Sequence, residues 1–254
     1  MSASDSPNAT SSPTAAQWQA FAARLKSAGG RLCHAVACTT GPDQALIIAL
    51  LYARAYQSFQ AAIALTAAGL DGDARTVIRS CVEGAIAIAA TMKDATFVNQ
   101  LVDDDLARRL TWARITLGDE SLHEGLAPQQ LTNLREFVAR EGTSQKKRRR
   151  INWEEIAGTT EARVLYHLHY RKMSWHTHVG IESLNNYAVL GDNEEVIGVQ
   201  CGAAATPGVE TASIACDAFF WTSIFAAEFF GLSDLQKDIR GMHREFAAMT
   251  GVPY

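Results

Sequence analysis

Long apolar stretches punctuated by glycine and proline run through the chain, and their spacing predicts helices almost throughout. A first helix is expected from about Thr14 to Ala28, stopping at Gly29-Gly30. A second opens at Pro42, whose fixed φ suits a first helical turn, and runs to Gly69. The tip Gly69–Asp73 turns the chain into a third helix that ends near Met92. A fourth, capped by Asp94, reaches Gly118, and a fifth spans Pro128–Gly142. Helix is expected again from Thr160 to Leu190, then in two closing segments, Val209–Phe230 and Ser233–Met249, parted by Gly231. Within Gly191–Gly208 only Val196–Val199 carries a strand signal, so at most one short β-hairpin is expected. The expected class is all-α, a multi-helix bundle built around the long antiparallel hairpin Pro42–Met92.

Between Gln44 and Leu70 the only charge is Arg54, and between Ser80 and Met92 it is Glu83. Helices apolar on nearly every side are buried ones, so this hairpin is expected at the centre of the bundle. An isolated carboxylate there is costly unless paired. Arg79 stands four residues before Glu83 on the same helix face, and folding the hairpin about its tip brings Arg54 within reach. A half-buried or buried Arg54–Glu83–Arg79 cluster is therefore expected, as an ion pair fixing helix register or as the polar floor of a pocket. The aromatic run Phe219, Phe220, Trp221, Phe225, Phe229 and Phe230 reads as core packing.

Composition narrows the function classes. The net charge of −4 gives no global attraction for nucleic acid or acidic membranes, so any such contact must be local. One local patch exists, Lys146-Lys147-Arg148-Arg149-Arg150, in a loop at 142–152. The five cysteines form no C-x-x-C pair, which fits a reducing, cytoplasmic setting. Residues 1–13 read as a disordered Ser/Pro/Ala tail without a basic or apolar signal region, and 14–254 as one helical domain with an irregular segment at 191–208. No membrane association is expected.

Four of the 7 histidines fall between His167 and His178. On one continuous helix, His167, Tyr170, Arg171, Ser174 and His178 share one side, with His169 and His176 opposite. Val164, Leu168, Trp175 and Val179 form a flanking apolar stripe, which places the polar line at the edge of the buried face. His-x-His pairs diverge too far on a helix to chelate one ion, and no thiolate or carboxylate joins them, so neither a metal nor a cofactor is expected. Two readings remain. One is metal-free RNA cleavage, with an imidazole as general acid or base and a guanidinium on the phosphate. The other is a hydrogen-bonded structural network.

Two resemblances bear on this choice. Arg79-Ser80-x-x-Glu83 followed by Tyr170-x3-Ser174-x3-His178 resembles a bacterial family of helical domains of unknown function, over roughly Leu46 to Tyr187. That resemblance implies a helical architecture and no particular activity. Arg171 followed by His176 or His178 is similar to the Arg-x4–6-His motif of the HEPN superfamily, many of whose members are metal-independent ribonucleases of toxin–antitoxin and phage-defence systems. The residue after the arginine is Lys172, where that superfamily carries Asn, Asp or His. The likeness implies Arg171 as the phosphate-binding residue, His178 or His176 as the catalytic imidazole, and a site shared by two protomers. Its partners would be RNA, a second copy and an antitoxin or regulatory protein, with Lys146–Arg150 and His167 assisting binding. The alternative is a non-catalytic helical interaction or regulatory protein.

Overall fold

Helix α3 forms the axis of the molecule because its residues are small or apolar on nearly every side, and every residue from Gly84 to Thr91 is buried. The computed structural model describes residues 12–36, 43–142, 150–178, 180–204 and 208–251. In chain order these form α1 (Ala15–Val36), α2 (Asp43–Ala67), α3 (Asp71–Lys93), α4 (Phe97–Gly118), α5 (Pro128–Gly142) and α6 (Trp153–Gly158). There follow α7 (Arg163–Leu165), a π-helical turn (Tyr166–Tyr170), α8 (Arg171–Thr177) and α9 (Ile181–Leu184). A hairpin of β1 (Ala188–Leu190) and β2 (Val196–Val199) leads to α10 (Val209–Phe229) and α11 (Ser233–Thr250). The strands pair antiparallel, Ala188 opposite Val199 and Val189 opposite Gly198, with an irregularity before Leu190. The fold is an all-α bundle with one short hairpin.

The α2–α3 hairpin is the centre of the bundle, as expected, and α10 packs across both of its helices. Helix α2 buries one stripe, Ile48, Tyr52, Ala55, Phe59, Ala62 and Thr66, while Leu46 and Leu50 stay exposed. It is long and apolar enough to cross a membrane by length and composition, and its buried stripe packs against its neighbours as a core helix does. Of the aromatic run, Phe219, Phe220 and Phe225 are buried in the core, and Trp221, Phe229 and Phe230 are half-buried against it. Phe219 stacks flat on Phe59 at 4.4 Å and lies 5.9 Å from Tyr52.

Helix α6 lies where no helix was expected, and two boundaries also differ from the sequence expectation. Helix α1 does not stop at Gly29-Gly30 but continues to Val36. A Cβ on Gly29 would stand 2.6 Å from the Phe219 ring, and one on Gly30 would stand 3.0 Å from the Tyr56 hydroxyl. These glycines therefore serve close helix approach rather than termination. The helix expected over Thr160–Leu190 is broken, ending at Thr177 and giving way to α9 and β1. At the α2–α3 turn Gly69 has φ +73, and a Cβ there would lie 2.4 Å from the Ala204 carbonyl oxygen. The Ala204 amide donates to Gly69 O at 2.9 Å, which ties the 200–204 segment onto the tip.

Candidate functional site

The polar side of α3 decides how the histidine-rich segment docks. Gly72, Arg75, Thr76, Arg79 and Glu83 recur at three- and four-residue spacing, so they form one line along the helix. Polar groups on a packed face need polar partners. The segment from Tyr166 to Tyr187 supplies them.

Arg79 and Glu83 pair at 3.3 Å, as the sequence predicts, with side chains 23% and 20% exposed. The third member of the cluster is Tyr170, not Arg54. Arg79 donates to the Tyr170 hydroxyl at 3.0 Å, and that hydroxyl donates to Glu83 Oε1 at 3.2 Å. The Arg79 guanidinium also lies over the Tyr170 ring at 5.0 Å. Burial raises the Tyr170 pKa, and the Glu83 charge beside it adds to the rise. Arg54 is exposed rather than half-buried and makes no ion pair among the described residues. It lines the same cavity as Glu83 without reaching it as a partner. The arginine's long stem keeps its charge in water instead.

One turn earlier on α3, Arg75 makes a second junction. It approaches His176 Nε2 at 3.2 Å, donates to Thr211 Oγ1 at 3.2 Å and pairs with Glu210 at 3.3 Å. The Asn186 amide faces His176 Nδ1 at 3.1 Å, and Thr76 Oγ1 donates to the His176 carbonyl at 3.0 Å. Glu210 also holds Lys172 at 2.5 Å. A third junction ties the segment to the closing helices. His169 meets Asp217 at 2.7 Å, and His243 stands 3.7 Å from the other oxygen of that carboxylate. Burial works to raise the Asp217 pKa, but the bonds from His169 and His243 outweigh it and hold it at about 2.

This docking reverses the orientation expected from a uniform helix. Tyr166, Tyr170, Met173 and His176 are buried, while Val164, Leu168 and Trp175 are 56%, 60% and 57% exposed. These three members of the apolar stripe expected inside face out because α3 offers polar groups, and the π-helical turn shifts the angular register besides, while Val179 lies outside the described residues. Tyr170 is therefore separated from its expected companions. His167 and Arg171 are exposed and Ser174 is half-buried. His178 lies beyond the end of α8 with extended backbone, φ −115 and ψ 150, and its side chain is exposed. His176, expected opposite Tyr170, is buried against α3 alongside it.

Of the basic run, Lys146, Lys147, Arg148 and Arg149 lie outside the described residues. Arg150 is held by Asp104, which accepts from Arg150 Nε at 3.1 Å, Arg108 Nε at 2.6 Å and the Ile151 amide at 3.0 Å. Among the described residues no group of three or more His, Cys, Asp or Glu side chains is placed to hold a metal ion.

Sequence reasoning missed Arg75, Asn186, Asp217 and His243. Asp217 had a usable signal, since it is the sole charge in α10 between Glu210 and Glu228. Arg75 and Asn186 had none, because exposed and buried polar residues look alike in a polar stretch of sequence.

A model of a family of unknown function, DUF5677, matches residues 45–196. The chain belongs to that family. No curated protein and no solved structure matches it. The family region runs from α2 to the start of β2, so it contains all three members of the Arg79–Glu83–Tyr170 cluster, and of the Arg75 junction it contains Arg75, His176 and Asn186 but not Glu210 and Thr211. The His169 junction also reaches outside it, to α10 and α11.

His176 makes the family region sensitive to pH. Burial, and then the nearby Arg75 charge, lower its pKa from the ordinary 6.5. The unfolded chain therefore takes up the proton first as pH falls. The stabilisation is full above 6.5 and is lost as pH drops through the folded-state value. Melting temperature measured between neutral and mildly acidic pH should fall in the native protein and fall less in His176→Gln. Equal slopes in the two proteins would assign the acid sensitivity to another group.

Proposed function

We propose that this chain is a non-catalytic helical interaction protein that self-associates through the outward side of the 163–184 segment. The observation that carries the reading is the division of that segment into two sides. Its inward polar groups, Tyr170, His176 and His169, are each engaged by side chains of other elements and join them together. Its outward side carries Val164, Leu168, Trp175, Ile181 and Leu184, between 50% and 77% exposed. Large apolar side chains left exposed along one segment favour association with a second surface. A second copy offers the same side, so a twofold contact is self-complementary.

The test is sedimentation velocity at micromolar to hundred-micromolar concentration. A dimer is expected, converted to monomer by Leu168→Glu with Trp175→Glu while the helical circular dichroism stays unchanged. A native protein that remains monomeric across that range overturns the proposal.

One observation favours a second reading, a HEPN-like metal-independent ribonuclease. Arg171 and His178 are exposed, and their side chains make no ion pair or hydrogen bond among the described residues. Arg171 stands between Leu168 and Trp175, so association through that side would carry its guanidinium to the contact between copies. Under this reading RNA is cleaved in the presence of a chelator, and both Arg171→Ala and His178→Ala abolish cleavage without loss of fold. Cleavage with that pattern would replace the non-catalytic reading.

A further inference from the structure

Glu83 borders a cavity of about 290 Å³ between α2, α3, α4 and the stretch 151–153. Its charged lining is unusually arranged for a chain of net charge −4. Each carboxylate in the lining already has a guanidinium. Glu83 has Arg79, Asp105 has Arg109 at 2.8 Å, and Asp104 has both Arg108 and Arg150. Of these arginines only Arg108 lines the cavity, Arg79, Arg109 and Arg150 standing behind the carboxylates they neutralise; Arg54 joins Arg108 in the lining and has no carboxylate partner among the described residues.

The donors are also uncommitted where they matter. Arg108 bonds Asp104 through Nε, which leaves its terminal nitrogens for another acceptor. Arg54 and the Ser80 hydroxyl make no hydrogen bond among the described residues, and both line the cavity. An arginine is the sole charge between Gln44 and Leu70 of an otherwise apolar helix, and it faces this space. Beside these groups Leu51, Leu101, Ile151 and Trp153 present an apolar wall.

We propose that this cavity binds an aromatic phosphate monoester of mononucleotide size, with Arg54 as the principal contact to the phosphate. A phosphate monoester carries close to two negative charges at neutral pH, which the unpaired Arg54 and the terminal nitrogens of Arg108 would meet, the lining carboxylates being neutralised by their own arginines. The planar arginine fork suits its oxygens. The apolar wall suits a flat ring. A volume of about 290 Å³ is of the size of one such unit. The site is separate from the outward side of the 163–184 segment, so it stands or falls independently of the self-association reading.

Isothermal titration of the full chain with adenosine 5′-monophosphate, adenosine and inorganic phosphate tests this. Saturable binding of the monophosphate is expected, at least about tenfold tighter than either fragment and weakened by salt. Arg54→Gln should weaken it about tenfold or more without changing the melting temperature of the free protein, because Arg54 is exposed. The control Arg163→Gln, at an exposed arginine elsewhere, should bind as the native protein does. Absence of saturable binding, equal affinity for adenosine, or undiminished affinity in Arg54→Gln would each overturn the proposal.

Discussion

Phe219→Ala should destabilise the protein by about 3–5 kcal/mol, the largest loss expected from any single truncation considered. The Phe219 ring is fully buried and stacks on Phe59, with Tyr52 and Tyr56 around it. It also occupies the space that Gly29 leaves open on α1. One side chain thus joins α1, α2 and α10, and truncation removes its transfer free energy and leaves a cavity that rigid helices cannot close. Denaturant unfolding should show a lower midpoint with an unchanged slope. Phe219→Leu, which retains much of the volume, should recover most of the loss. A deficit under about 1 kcal/mol for the alanine variant would mean that the helices close over the gap.

The second large effect is expected at Glu83. Replacing it with Gln removes the charge that offsets Arg79 and weakens the acceptor for the Tyr170 hydroxyl. Severing one member of a fully buried ion pair costs about 3–5 kcal/mol. Both side chains here are about one-fifth exposed, so solvent screening brings the expected loss to about 2 kcal/mol. A double-mutant cycle with Tyr170→Phe should show coupling, because one carboxylate oxygen serves both partners. Strict additivity would show that Tyr170 is held by ring packing alone. A folded, stable Glu83→Gln protein would shift the role of the carboxylate from joining helices to serving the adjacent cavity.

These two residues also show how unevenly the sequence discloses the molecule. Glu83 was legible because a lone carboxylate in an apolar helix demands a partner, and Arg79 was the obvious one at four residues' distance. Tyr170 was legible only as a motif residue, since the contact joins positions far apart in the chain. Asp217 obeys the same rule as Glu83 and could have been read the same way, but its histidine partners come from two further elements. The Arg171–His178 face was drawn on the assumption of a uniform helical pitch. The π-helical turn and the end of α8 at Thr177 dissolve it.

By itself the sequence determined the all-α class, the boundaries of α3, α5, α10 and α11, the packing of the aromatic run of α10 in and against the core, and the Arg79–Glu83 pair. All of these follow from local periodicity, from turn chemistry or from charges spaced along one helix. Only the tertiary structure decided that α1 runs through Gly29-Gly30, that α2 keeps one side open, and that the 163–184 segment turns its apolar side outward. The physical reason is common to the three cases. Each depends on what a neighbouring helix presents at the point of contact: the Phe219 ring at Gly29, α3 and α10 along a single stripe of α2, and the polar line of α3 beneath Tyr170 and His176. Periodicity reports that a helix has two sides, and the partner selects which one is buried.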